Sequence, residues 1–308
     1  MALAPIPLTT LVKLGAGLKR PEGVSGGRDG RVWASDQTSA CAEVRPDGTL
    51  RRVGKAEGAP NGITMDAAGR ILIAGWGLDS GDPGPLQRLD PETGHVEVVC
   101  AEIAGRRLLA SNYPVVDRHG NIWCSHSTWD VAAAWAGVAD GFVYRIAPDG
   151  AARIMAEGFH FANGLALDAE ESYLYVCQSV ARNVVRCPIR GDGTLGAAEP
   201  YGPVLGEPAF RGATAEQRAR FGEPDGCGFD QEGNLWVTLI FANRVVAITP
   251  SGRVETVIHD PTGEVMAWPT NVAWGGPDLR DLYIASLRKD YIVRARSPVA
   301  GLPLAHQR

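Results

Sequence analysis

"PDGCGFDQEGNLWVT", residues 224–238, is a short run of small and apolar residues, the turn "DQEGN", and a second run in which large side chains alternate. The Asp and Gly of that turn are what a tight hairpin requires, and the alternation after it is that of a β-strand. The same form recurs five times, as "PEGVSGGRDGRVWAS" from 21, "PNGITMDAAGRILIA" from 60, "SNYPVVDRHGNIWCS" from 111, "ANGLALDAEESYLYV" from 162 and, more weakly, "PTNVAWGGPDLRDLYIA" from 269. Further strand-turn-strand stretches follow, such as "VYRIAPDGAARIM" and "VVAITPSGRVETV", giving four antiparallel strands per unit. The second residues of the six stretches are 22, 61, 112, 163, 225 and 270, and their intervals of 39, 51, 51, 62 and 45 are propeller-blade lengths with loop insertions.

The expected fold is therefore all-β, one six-bladed β-propeller with four-stranded antiparallel blades over residues 1–308. Residues 8–20 are expected to supply the strand that closes the last blade and covers its edge. Helical patterns are confined to two insertions, "ATAEQRARFG" at 213–222 and "WDVAAAWAG" at 129–137.

Composition narrows the partners. The 308 residues are 45% hydrophobic and carry a net charge of −5, with scattered basic residues, which excludes an extended polyanion such as nucleic acid. No run approaches the roughly 18 apolar residues of a membrane helix, and the first residues lack a secretory pattern, so a cytoplasmic protein without membrane partners, monomeric or a small homo-oligomer, is expected. The six cysteines form no C-x-x-C pair and read as buried, reduced side chains.

The first strand of each propeller blade lines the central channel. Glu22, Asn61, Asn112, Asn163, Asp225 and Thr270 then gather at one channel end. Two carboxylates, three carboxamides and a hydroxyl in a narrow tunnel need a compensating charge, and no basic residue holds any of the six positions. A divalent cation answers that need, and oxygen ligands select hard ions. The competing reading is that Asn-Gly pairs merely make turns; it accounts for Asn61-Gly62 but not for Glu22, nor for Asn112 preceding Tyr113.

Together "RPEGV" (20–24), "SNYPVVDRHGNIW" (111–123), "FANGLALD" (161–168) and "EPDGCGFDQEGNLWV" (223–237) resemble the SMP-30, gluconolactonase and luciferin-regenerating-enzyme family of six-bladed propellers, over essentially the whole chain. The resemblance implies that Glu22, Asn163 and Asp225 ligate one divalent metal, calcium first, with Mg²⁺, Mn²⁺, Fe²⁺ or Zn²⁺ as alternatives. It implies that Asn112 reaches the metal shell or the substrate. It further implies a metal-dependent lactonase, a carboxylic-ester hydrolase that opens a cyclic ester, with the cation polarising the carbonyl and Asp225 as the catalytic carboxylate that activates water. Members acting on sugar lactones often carry Arg two residues before the Asn and Asp just after it. Here those positions are Ala110 and Tyr113, which implies a small-molecule substrate less polar than a simple aldonolactone. Two alternatives stand beside it. One is a non-hydrolytic, strictosidine-synthase-like or isomerase-type enzyme, suggested by the 125–141 insertion; the other is a binding propeller with a structural metal.

Loops returning to the metal face are expected to bring Trp76, Trp129, Phe161, Phe241 and Trp268 around the mouth, an aromatic lining suited to a partly apolar substrate. Trp33, Trp123 and Trp236 are second-strand residues expected in the core. His126 and His160 are placed near the site as groups able to move protons near neutral pH, while His95, His119, His259 and His306 are expected at the surface.

Overall fold

The computed structural model describes residues 3–308. Six four-stranded antiparallel sheets follow one another along the chain, each with its first strand innermost. These inner strands are Val24–Gly26, Ala59–Met65, Ser111–Val116, Ala162–Leu167, Pro224–Phe229 and Pro269–Gly275. In blade 6 the outermost strand comes from the other end of the chain: Val12–Leu14 pairs antiparallel with Ile292–Arg294. A two-stranded ribbon, Glu102–Ile103 with Arg106–Arg107, lies outside the blades.

The repeated turn has a mechanism. In blade 5, Asp230 Oδ1 accepts the Glu232 and Asn234 amides, while Oδ2 accepts Asn234 Nδ2 and Trp236 Nε1. Asp117 does the same in blade 3 for His119, Asn121 and Trp123. Gly120 and Gly233 supply the left-handed residue of each turn, both at φ 79°. One Asp thus ties the hairpin to the buried Trp of its second strand, which is why "DxxGNxW" recurs. Trp33, Trp123 and Trp236 are at most 1% exposed. All six cysteines are free and buried.

The Asn-Gly pairs are not turns. Asn61-Gly62 and Asn163-Gly164 lie inside inner strands, and neither glycine has a positive φ. Their reason is proximity: a Cβ on Gly62 would sit 2.5 Å from Asn112 O, and one on Gly164 2.4 Å from Asp225 O. Gly23 and Gly226 meet the backbone of the following blade in the same way. Blades 3 and 6 break the pattern with Tyr113 and Asn271, and there Asn271 Nδ2 donates to Tyr113 Oη across the channel. Blades 3 and 6 are opposite each other in a ring of six, so this pair forms a crossbar.

Below the crossbar the C-terminal segment crosses the far end of the channel. Gln307 Nε2 donates to Trp274 O and Gly26 O, the Leu302 amide to Phe229 O, and Arg308 pairs with Glu171. The space between crossbar and tail is walled mainly by apolar residues, among them Ile63, Leu165, Val272 and Leu302. The helical insertions are single turns: α1 is Val131–Trp135 and α2 is Ala215–Arg218, shorter than the sequence patterns at 129–137 and 213–222.

Candidate functional site

The other end of the channel opens into a solvent-facing cavity. Its floor is made by Glu22, Asn61, Asn112, Asn163 and Asp225, all at most 5% exposed. In blades 2 to 5 the ring residue occupies an irregularity between the first two strands, which turns its side chain inward. Thr270 does not join them: its hydroxyl donates to Glu22 O at 2.7 Å, tying blade 6 to blade 1.

Two serines orient the carboxamides. Asn112 Nδ2 donates to Ser127 Oγ at 2.8 Å, and Asn163 Nδ2 to Ser179 Oγ at 3.1 Å. With each nitrogen so engaged, the two carboxamide oxygens are left over. Asn112 Oδ1, Asn163 Oδ1, Glu22 Oε2 and Asp225 Oδ1 are all buried without a hydrogen-bond partner among the described residues. Buried acceptors are ordinarily satisfied, and a carboxylate taken out of water costs several kcal/mol even after relaxation. Burial pushes Glu22 up to about 7, with Arg20 pulling it back only in part. Burial, and then the charge of Glu22, hold Asp225 well above the usual carboxylate range. Four unpartnered oxygens, two of them from carboxylates, form a donor set that fits a hard divalent ion. The four donors are all oxygens, and no group of three or more His, Cys, Asp and Glu that could hold a metal is found among the described residues.

Asn61 differs from its neighbours. Its Oδ1 accepts from Arg20 Nη2 at 2.9 Å, and Arg20 Nη1 also donates to Pro60 O. Arg20 is the one basic side chain on the cavity wall among the described residues, and the sequence reading passed over it. Glu223 and Ser179, also on the wall, were missed likewise. The signal was available for two of these: Arg20 and Glu223 both stand two residues before a ring position.

Above the floor, Trp76, Phe161, Phe241 and Trp268 line the mouth. They are joined by Trp135, which packs 6.3 Å from Phe161 and 6.0 Å from Phe241, centroid to centroid. Trp129, expected here, lies elsewhere. Asp130 caps α1, so Trp129 falls before the helix and packs, tilted, 4.2 Å from His126 between ring centroids, with the Arg106 guanidinium 3.7 Å over its ring. His126 is likewise remote from the cavity wall. It is fully buried, stacked on Phe142, and its Nε2 accepts the Leu109 and Ala110 amides. Burial pushes its pKa down to about 3, so it stays neutral and has no proton to offer near pH 7. His160 is half-buried beside Phe161 but does not line the cavity. Of the outer histidines, His95 and His119 are exposed, His259 is half-buried, and His306 places a ring nitrogen 3.0 Å from Gly26 O in the tail.

A propeller with an oxygen-lined, aromatic-rimmed channel mouth defines a recognisable class, and the chain belongs to the SMP-30/gluconolactonase/LRE-like family, whose model matches residues 81–288. It is 29% identical over 255 residues to a 6-deoxy-6-sulfogluconolactonase of Pseudomonas putida, covering 72% of this chain and 81% of that one. To the gluconolactonase of Zymomonas mobilis it is 25% identical over 284 residues, 88% of this chain and 73% of the relative. Among solved structures, a gluconolactonase from Xanthomonas campestris superposes with a TM-score of 0.74 at 22% identity, covering 97% of this chain and 96% of the other. A calcium-binding regucalcin from Agrobacterium tumefaciens gives 0.72 at 17%, covering 98% and 97%. At such identities the superpositions speak for the fold. No helix among the described residues is long and apolar enough to cross a membrane.

Proposed function

We propose that this chain is a divalent-metal-dependent lactonase acting on a small cyclic ester with a substantial apolar part. The observation that carries the reading is the set of four unpartnered buried oxygens on Glu22, Asn112, Asn163 and Asp225 at the floor of an open cavity. Glu22, Asn163 and Asp225 would hold the cation, with Asn112 completing its shell or contacting substrate. Calcium heads the candidate ions, because two carboxylates and two carboxamides are hard, neutral-to-anionic oxygen donors. A cation bound there would supply Lewis-acid polarisation of an ester carbonyl.

The chain's own residues do the rest. Asp225 accepts the proton of a water molecule as the water oxygen bonds to the acyl carbon, and returns it to the ring oxygen as the acyl C–O bond breaks, leaving an open-chain hydroxy acid. Ser127 and Ser179 keep the two carboxamide oxygens aimed at the site. Trp76, Trp135, Phe161, Phe241 and Trp268 exclude bulk water and offer flat surface to an apolar substrate. Two of the relatives are lactonases of sugar acids by name, which supports the reaction type. The aromatic rim supports a less polar substrate than a bare aldonolactone. The site residues suit a hydrolase, and a single domain with no nucleic-acid or membrane partner accords with the acidic composition.

The decisive experiment is elemental analysis of the purified protein, followed by a pH-indicator screen of lactones from sugar-derived to aromatic with Ca²⁺, Mg²⁺, Mn²⁺ or Zn²⁺ restored to the stripped protein. On the best substrate, Asp225→Asn is expected to lower kcat/KM by on the order of 10³-fold while the far-UV spectrum is unchanged. Full turnover in that variant would remove Asp225 from its role, and a metal-replete protein inert to every lactone would end the lactonase reading.

A further inference from the structure

Two residues before the six ring positions the chain reads Arg20, Ala59, Ala110, Phe161, Glu223 and Trp268, so the repeat builds a second layer above the floor. Four of these line the cavity: Arg20, Phe161, Glu223 and Trp268. Arg20, Phe161 and Trp268 adopt left-handed backbone, φ 53°, 61° and 56°, a conformation disfavoured for a residue with a Cβ. The alanines of blades 2 and 3 leave room for Trp76, which pairs with both Ala59 and Ala110.

Glu223 is the anomalous member. It is 1% exposed, and its Oε1 accepts the Ala209 amide at 2.6 Å, fastening the 205–222 insertion. Its Oε2 is buried with no partner. Fastening the insertion takes one oxygen, and the second has no hydrogen-bond partner among the described residues. The guanidinium of Arg182 is turned to Gly206 O and Val180 O, and that of Arg20 to Pro60 O and Asn61. A buried acceptor left without a donor is destabilising. On a cavity wall flanked by the aromatic rings of blades 4 and 6, a hydroxyl on a ligand would supply the missing donor.

We propose that Glu223 is a specificity-determining residue whose Oε2 accepts a hydrogen bond from a hydroxyl of the substrate. The substrate class is then a hydroxylated lactone whose remaining face is apolar and lies against Phe161 and Trp268. This rests on the lactonase reading of the same site.

The test uses matched five- and six-membered lactones that differ by a single ring hydroxyl, and the corresponding cyclic ethers, which cannot be hydrolysed. For one hydroxyl position the wild-type protein is expected to favour the hydroxylated lactone in kcat/KM by about a hundredfold or more. Glu223→Gln keeps the side chain's size and a carbonyl for the Ala209 amide but presents a donor instead of an acceptor. The variant is expected to bring that preference to within about threefold, mainly through loss on the hydroxylated member. A purely structural Glu223 would lower both members together and leave the ratio intact, which overturns the proposal, as does a wild-type ratio near one at every position. Calorimetry with the ethers separates the two readings. Hydroxyl-dependent ether binding that disappears in Glu223→Gln, in a protein that hydrolyses no lactone, keeps this assignment and ends the lactonase reading. Lactone turnover with an unmoved ratio does the reverse, and a protein that neither binds the ethers nor turns over the lactones loses both. Two cations per wild-type chain, falling to one in Glu223→Gln, would make this residue a metal ligand and overturn the proposal.

Discussion

Asn112 and Asn163 each carry a carboxamide that could present either end to the channel, and a serine on the second strand of the same blade or just beyond it decides which. Ser179 Oγ accepts Asn163 Nδ2 and donates to Pro224 O, so the hydroxyl is itself held by the next blade. Removing that hydroxyl frees the carboxamide to rotate. Ser179→Ala is expected to weaken divalent-cation affinity about tenfold, with Tm little changed, as measured by calorimetric titration of metal-stripped protein. Unaltered affinity would show that the serine does not set the orientation. At this scale the sequence was legible where the repeat spoke. Alignment alone brought Glu22, Asn61, Asn112, Asn163 and Asp225 to one floor, yet it could not separate Asn61, whose oxygen Arg20 occupies, from Asn163, whose oxygen is unpartnered. That difference lies in contacts between blades, which no local pattern encodes.

The single-turn helix α1 is too short to have a periodicity, and so the sequence placed the wrong tryptophan at the mouth. Asp130 accepts the Ala133 amide and starts the helix there. Trp129 is thereby left on the inner side, among His126, Phe142 and Arg106, while Trp135 ends the helix beside Phe161 and Phe241. Trp135 remains 43% exposed, an unusual position for a large apolar ring unless it meets a ligand. Trp135→Ala is expected to raise KM for apolar lactones roughly tenfold with kcat and Tm nearly unchanged, in steady-state assays beside thermal melts. Equal KM values across polar and apolar substrates would remove the helix from the binding surface. The hairpin turns were readable for the opposite reason: every bond of the "DxxGNxW" unit is local, so its residues carry their own explanation.

For the whole molecule, the blade count and the outer closing strand follow from six similar stretches and a final unit short of one strand. Acid sensitivity does not, because it depends on where His126 ends up. In the folded protein His126 is neutral down to about pH 3, whereas the unfolded chain protonates it near 6.5. Between those values the unfolded state binds the extra proton, so this contribution to stability is complete above pH 6.5 and lost as the pH falls toward 3, by up to about 5 kcal/mol. Denaturant unfolding is expected to show a stability that declines below pH 6.5, and His126→Phe to flatten that decline; an unchanged slope in the variant would assign it to other groups. The far end of the channel has a different consequence. With Tyr113 and Asn271 bridging it and the segment from Gly301 to Arg308 laid beneath, the straight route through the channel is obstructed on the side away from the tryptophans. A molecule that enters past the tryptophans meets that obstruction and has its open path back the way it came, so arrival and departure share a doorway, and a reaction product still inside is a competitor for the next molecule in the queue.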